Sequence, residues 1–283
     1  MAFLSLQDYL YSFMDENSIP YAPFLLSERK IPEVELALIE GTVRTVEHFR
    51  KARELRDKAE RVVALGTCAC YGGVQGLADL YSEEGLMRRR YGKGYAFEGA
   101  PQAVRRLLPL DSYIGIDAYL PGCPPPVGLL RSFLGLALSG TLPNRDGATV
   151  CAECQVTSPA LPQPGPRRTT REEPAEGKCL LEQGFLCMGP VTRDGCGAHC
   201  PARGVPCRGC RGPSEAALAC PSRNAADETL RRLARSTKKR LLEVEEALPD
   251  HAQSFYMHCL AEPILRRRRP PGTSSFIRRL GEK

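Results

Sequence analysis

A chain of 283 residues is long enough for two domains of ordinary size, each with a core of its own. With 42% hydrophobic and 25% charged residues, and no apolar run near the roughly 18 residues a spanning helix needs, the composition is that of a globular protein and argues against a transmembrane helix. The net charge of +6 gathers in runs at residues 88–90, 238–240 and 266–269; with no binding motif and few aromatics beside them, these runs read as solvated faces or docking surfaces for acidic partner subunits, not as a nucleic-acid site.

The opening stretch MAFLSLQDYLYSF lacks a basic leader and carries Asp8 early, so no secretory signal is expected and a cytoplasmic protein is. VELALIEG (residues 34–41) reads as a buried strand, TVEHFRKARELRDKAE as an amphipathic helix, and RVVALG (61–66) as the next strand. SYIGIDAYL (112–120) predicts a further strand and VGLLRSFLGLAL (127–138) a further helix. This α/β series implies a largely parallel sheet with helices on both faces, in which ligands gather in the loops at the carboxyl ends of the strands. GTCACYGG and PGCPPP both fall there. A boundary follows near Pro143, and the Pro-rich, charged stretch 158–177 reads as an exposed loop or linker. From Cys179 to Pro213 there is almost no periodicity, only Cys, Gly and Pro; such a segment cannot build an ordinary core, and bound metal is the natural substitute. Residues 227–248 predict one charged surface helix with no chemistry of its own.

Thirteen cysteines in a chain without a leader favour metal ligation over disulfides. Cys68, Cys70 and Cys123 lie in the first half and the other ten follow Val150. Cys151 and Cys154 form CAEC, Cys179 and Cys187 are eight apart, Cys196 and Cys200 four apart, and Cys207 and Cys210 form CRGC, which makes two sets of four. Four thiolates hold an iron-sulfur cubane, and the interposed Gly195, Gly197, Gly204 and Gly209 let the backbone turn tightly and aim amides at the sulfurs, which tunes the reduction potential. Zinc also takes four cysteines in CxxC pairs and spacing alone leaves it open, but structural zinc gives no account of a second cysteine group at strand ends. Cys70, Cys220 and Cys259 read as free or buried thiols and His199 as a bystander beside Cys200.

The runs ALIEG, ALGTCACYGGVQGL, LPGCPPP, CAEC and CLLEQGFLCMGPVTRDGCGAHCPARGVPCRGCRGP resemble the small subunit of the nickel-iron hydrogenases, most of all the cytoplasmic F420-reducing, viologen-reducing and sulfhydrogenase group. More broadly they resemble the 20 kDa subunit of NADH:ubiquinone oxidoreductase, which is similar in the first module. The resemblance covers residues 1–213 and implies a flavodoxin-like module over 1–143 with a proximal 4Fe-4S cluster. It further implies an irregular iron-sulfur module over 144–226 with medial and distal clusters, and a charged helical extension over 227–283. By motif, Cys151, Cys154, Cys179 and Cys187 fall to the distal cluster and Cys196, Cys200, Cys207 and Cys210 to the medial one. Cys68 and Cys123 match two proximal ligands, while Cys70 stands where the family commonly has Ser or Thr. Family members begin with a strand ending in a CxxC-type motif that supplies the other two proximal ligands; here Met1 stands where the following helix begins, so either the start codon lies further upstream, which is the favoured expectation, or the subunit is naturally degenerate. Glu40 falls at a strand end, either as a carboxylate near the proximal cluster or as a cap of the turn.

The resemblance implies an electron wire and not the hydrogen-splitting centre, which belongs to a large subunit. Its expected partners are that large subunit and a flavin, ferredoxin-like or NAD(P)-linked acceptor subunit. The alternatives are an electron carrier of another, quinone-reductase-like complex and a zinc-stabilised interaction protein.

Overall fold

The computed structural model describes residues 3–93, 99, 101–141, 147–156, 165–167, 172–219, 225–248 and 254–262. In chain order these carry α1 (Asp8–Glu16), β1 (Val34–Glu40), α2 (Val46–Lys58), β2 (Ala59–Leu65), α3 (Gly66–Tyr71), α4 (Glu83–Tyr91), β3 (Ala118–Leu120), α5 (Val127–Leu138), α6 (Val150–Glu153), α7 (Glu215–Ala219), α8 (Ala225–Thr237) and α9 (Leu241–Glu246). No helix among the described residues is long and apolar enough to cross a membrane.

The sheet is parallel, in the order β1-β2-β3, with Val34 opposite Ala59, Glu40 opposite Leu65, and Leu65 opposite Leu120. β2 is central, and its last four residues, Val62 to Leu65, are almost wholly buried, the continuous apolar run of a strand covered on both faces. On one face Val62 and Ala64 join Ala37 of β1 and Ala52 of α2 in a core that continues into the cysteine-rich segment. On the other, Val63, Leu65 and Leu120 pack against Leu130, Phe133 and Leu134 of α5 and Phe13 of α1. α2 starts where the Thr45 hydroxyl accepts the His48 amide, satisfying one of the unpaired donors of a helix N-terminus.

The third strand is shorter than its apolar pattern predicts. Leu110–Ser112 is a 3-10 turn, and the Ile114 amide bonds back to the Leu110 carbonyl. Asp117 then meets the sheet with its carboxylate, which accepts the Val62 amide and the Arg56 guanidinium, so regular pairing begins only at Ala118. The expected single helix over 227–248 is two, because Lys238 takes a left-handed φ of 53° between α8 and α9. The α8 residues Leu230, Leu233 and Ala234 are buried, while Arg232 and Arg235 line a recess described below, so this helix does touch the site. The cysteine-rich stretch is as irregular as its composition implies, with isolated bridges (Thr149 to Arg193, Thr192 to Pro213) and 3-10 turns at Gly189–Val191 and Pro201–Arg203. The boundary at Pro143, most of the 158–177 stretch and everything after residue 262 lie outside the described residues.

Candidate metal centre

β2 and β3 end side by side, and the loops that leave them are laced together. The Thr67 amide donates to the Gly122 carbonyl (2.9 Å), and the Gly122 amide donates to the Thr67 hydroxyl (2.8 Å). Cys68 and Cys123 follow these two residues and are thereby electrostatic neighbours: burial pushes the Cys68 thiol up, and Cys123 and then Glu40 add to it. Gly73 is required beside Cys68, since at φ 57° a Cβ there would lie 2.5 Å from the Cys68 sulfur. Glu40, at the end of β1, is among the groups that raise the Cys68 thiol.

The cysteine-rich segment sits directly on these strand ends. The Thr67 hydroxyl donates to the Cys210 carbonyl, and the Arg211 guanidinium donates to the carbonyls of Pro121 and Asp194. Arg193 bonds Glu215 (2.6 Å) and the Tyr71 hydroxyl (3.4 Å), and Gly212, at φ 75°, lets the chain pass so close to the Tyr71 ring that a Cβ would fall 2.2 Å from it. Three residues next to cysteines, Thr67, Arg211 and Gly122, therefore fix the first cysteine pair relative to Cys210.

Beyond this junction eight further cysteines fall into two groups. Cys151, Cys154, Cys179 and Cys187 line one recess of about 460 Å³, whose lining also includes Gly189, Pro190, Arg232, Arg235 and Ser236. Burial and then Cys187 push the Cys151 thiol up to about 12, against the pull of Arg232; although the residue as a whole is exposed, its sulfur is crowded into the recess. The Cys187 thiol is also raised by burial, relieved by the amides of Gly189 and Cys207, the latter at 3.3 Å. In the second group, burial and then Cys196 and Cys200 raise the Cys210 thiol, with a further contribution from Cys123. Burial pushes Cys207 up to about 12, opposed by the Gly209 amide, and raises Cys196, opposed by the Ala198 amide. The groups form a series in space: Cys123 acts on Cys210, and Cys207 donates its amide to Cys187.

Such a donor set suits a soft, polynuclear metal group. The donors are all thiols, burial raises several of them and several receive backbone N–H groups; metal binding takes the thiolate form, so a bound metal would displace protons. Among the described residues no three His, Cys, Asp or Glu side chains converge on a single ion-sized point; the first set instead surrounds a recess. The remaining sulfurs stand apart: Cys70 is buried and donates to the Ala64 carbonyl (3.2 Å), and Cys259 is buried in the core, while Cys220 lies outside the described residues. His199 is exposed next to Cys200.

Two expectations about the glycine loops part company here. Gly209 does aim its amide at a sulfur, that of Cys207. Those of Gly195 and Gly197 go instead to the carboxylate of Glu153, a residue that drew no expectation from the sequence although it stands inside CAEC.

Residues 1–134 match the family model of the NADH ubiquinone oxidoreductase 20 Kd subunit. A vhu-type F420-non-reducing hydrogenase subunit from Methanococcus voltae is 36% identical over 226 residues, spanning 77% of this chain and 79% of that protein. The sulfhydrogenase 2 subunit delta of Pyrococcus furiosus is 32% identical over 212 residues, 75% of this chain and 79% of its own length. The chain belongs to the small-subunit family of the nickel-iron hydrogenases. Among solved structures, a chain of an NAD+-reducing [NiFe]-hydrogenase aligns with 52% of this small subunit and 86% of itself at 26% identity, with a TM-score of 0.47. The small subunit is accordingly a component of an oxidoreductase, and the aligned relatives reach well past the sheet into the cysteine-rich segment.

Proposed function

We propose that this chain relays electrons within a cytoplasmic nickel-iron hydrogenase complex through 4Fe-4S clusters on two sets of four thiolates. Cys196, Cys200, Cys207 and Cys210 hold a medial cluster, and Cys151, Cys154, Cys179 and Cys187 a distal one. The observation that carries this reading is the spatial series of the cysteine groups, with Cys123 beside Cys210 and the Cys207 amide donating to the Cys187 sulfur. When bound, the clusters supply one-electron storage at successive points along the series. The chain's own part is to hold them, to exclude water by burial, and to direct the amides of Gly189, Ala198, Cys207 and Gly209 at cysteine sulfur, which favours the more negative, reduced charge state.

Cys68 and Cys123 supply two ligands of a proximal cluster at the sheet's carboxyl edge, the face that meets the large subunit where hydrogen is split. Electrons then run from that edge to the recess beside α8, where Arg232 and Arg235 border the distal set and face a flavin, ferredoxin-like or NAD(P)-linked acceptor subunit. The modules are 1–143 for the sheet, 144–226 for the two cluster sets and 227–283 for the C-terminal extension.

Anaerobic purification tests the reading. About eight iron and eight labile sulfide per chain from the two complete sets, with a broad absorption near 400 nm that bleaches on reduction, is the expected result. Zinc in place of iron returns the chain to the class of zinc-stabilised interaction proteins.

A further inference from the structure

Glu153 lies on α6 between Cys151 and Cys154, yet its carboxylate is turned away from both, toward the loop that carries Cys196. One oxygen accepts the Gly195 amide at 2.9 Å, and the other accepts the amides of Cys196 at 3.1 Å and Gly197 at 3.0 Å. Three consecutive N–H groups converge because Gly195 and Gly197 take positive φ angles of 92° and 62° on either side of Cys196, a backbone concavity built for an anion. The following residue, Ala198, holds a positive φ of 49° without being glycine, a conformation that side chains disfavour. Its amide then points to the Cys196 sulfur. The anion in this concavity is the protein's own carboxylate.

We propose that Glu153 is a positioning residue that shapes the Cys196 loop and lowers the reduction potential of the medial cluster, although it stands between two ligands of the distal one. This rests on the cluster assignment above. Two effects act in one direction. Three amides bonded to a carboxylate are not available to cluster sulfur, and a negative charge beside Cys196 opposes the added electron. Arg211 acts on Cys196 with the opposite sign but less strongly than Glu153. Because the same side chain joins CAEC to the GCG loop, it also fixes the spacing between the two sets.

The test is an EPR-monitored redox titration of the full holoprotein, parent against Glu153→Gln and Glu153→Asp. The two signals are assigned by Cys200→Ala and Cys179→Ala, each of which removes one of them. Glu153→Gln is expected to shift the medial midpoint positive and the distal midpoint less, with Glu153→Asp, which keeps the charge, closer to the parent. Amide hydrogen exchange in the full holoprotein provides a second readout: at Gly195, Cys196 and Gly197 it is expected to be faster in Glu153→Asp, whose carboxylate is one methylene short. Two intact cluster signals with an unmoved medial midpoint, a larger distal shift, or unchanged exchange at those three amides overturns the role of Glu153. A parent protein with no iron-sulfur signal overturns the cluster assignment, and this role with it.

Discussion

Replacing Thr67 by Val isolates the contact that seats the cysteine-rich segment on the sheet. Valine is nearly the same size, so no cavity opens, and Thr67 is 1% exposed, so water does not replace what is lost. Two backbone groups lose their partner: the Gly122 amide, which donates to the hydroxyl at 2.8 Å, and the Cys210 carbonyl, which accepts from it. A buried group left unpaired costs about 1–3 kcal/mol, so the pair costs roughly 2–6 kcal/mol. Against a slope of about 3 kcal/mol per molar urea, at the upper end of the usual range as a chain of this size requires, the unfolding midpoint of the anaerobically purified chain falls by roughly 1–2 M. Thr67→Ser, which keeps the hydroxyl, stays close to the parent. Because Gly122 precedes Cys123, the valine variant also loosens the Cys68 and Cys123 pair. A valine variant that unfolds at the parent's urea concentration would refute the assignment of this hydroxyl as the junction between sheet and cysteine segment.

Other changes separate the elements of the site. Gly189→Ala adds a Cβ 3.2 Å from the Cys151 sulfur and 3.7 Å from that of Cys187, so iron bound at that set is expected to fall while the Cys196 set keeps its EPR signal. Cys207→Ala should remove about four iron atoms per chain and loosen the surrounding segment, whereas Cys259→Ala, buried but in no cysteine group, should leave the iron content unchanged at a stability cost of about 1 kcal/mol, both read by metal analysis and thermal unfolding. Asp117→Ala removes the acceptor of the Val62 amide and the partner of Arg56 and should cost about 1–3 kcal/mol. Burial pushes the Asp117 carboxyl up, but the Val62 amide and Arg56 outweigh it and hold it below the usual range. Its contribution is therefore present at neutral pH and is lost as pH falls below about 4, so the variant's stability profile should be flatter on the acid side than the parent's.

Much of the fold was legible in the residues alone where local chemistry and tertiary packing agree. The apolar run VVAL is buried on both faces because it belongs to the middle strand of a parallel sheet, and the helix over 127–138 follows its pattern to the residue. The SYIGIDAYL stretch misled because periodicity records burial and not pairing: Ile114 is buried beneath a turn, while Asp117 meets β2 through its side chain. α8 was read as chemically silent because a charged helical face looks the same whether it borders solvent or a recess lined by cysteines.

By itself the sequence determined which residue types are present and how far apart they lie along the chain: alternating strands and helices, ten thiols in recognisable motifs, and glycines where the backbone must turn. Tertiary structure decided the distances between groups remote in sequence. Cys210 meets Thr67 across 143 positions, Arg211 reaches Pro121 across 90, and Glu153 enters a loop more than 40 residues further on. The reason is physical: spacing within a motif is fixed by local backbone geometry, whereas a carboxylate chooses its amides only after a core has brought them within hydrogen-bonding range.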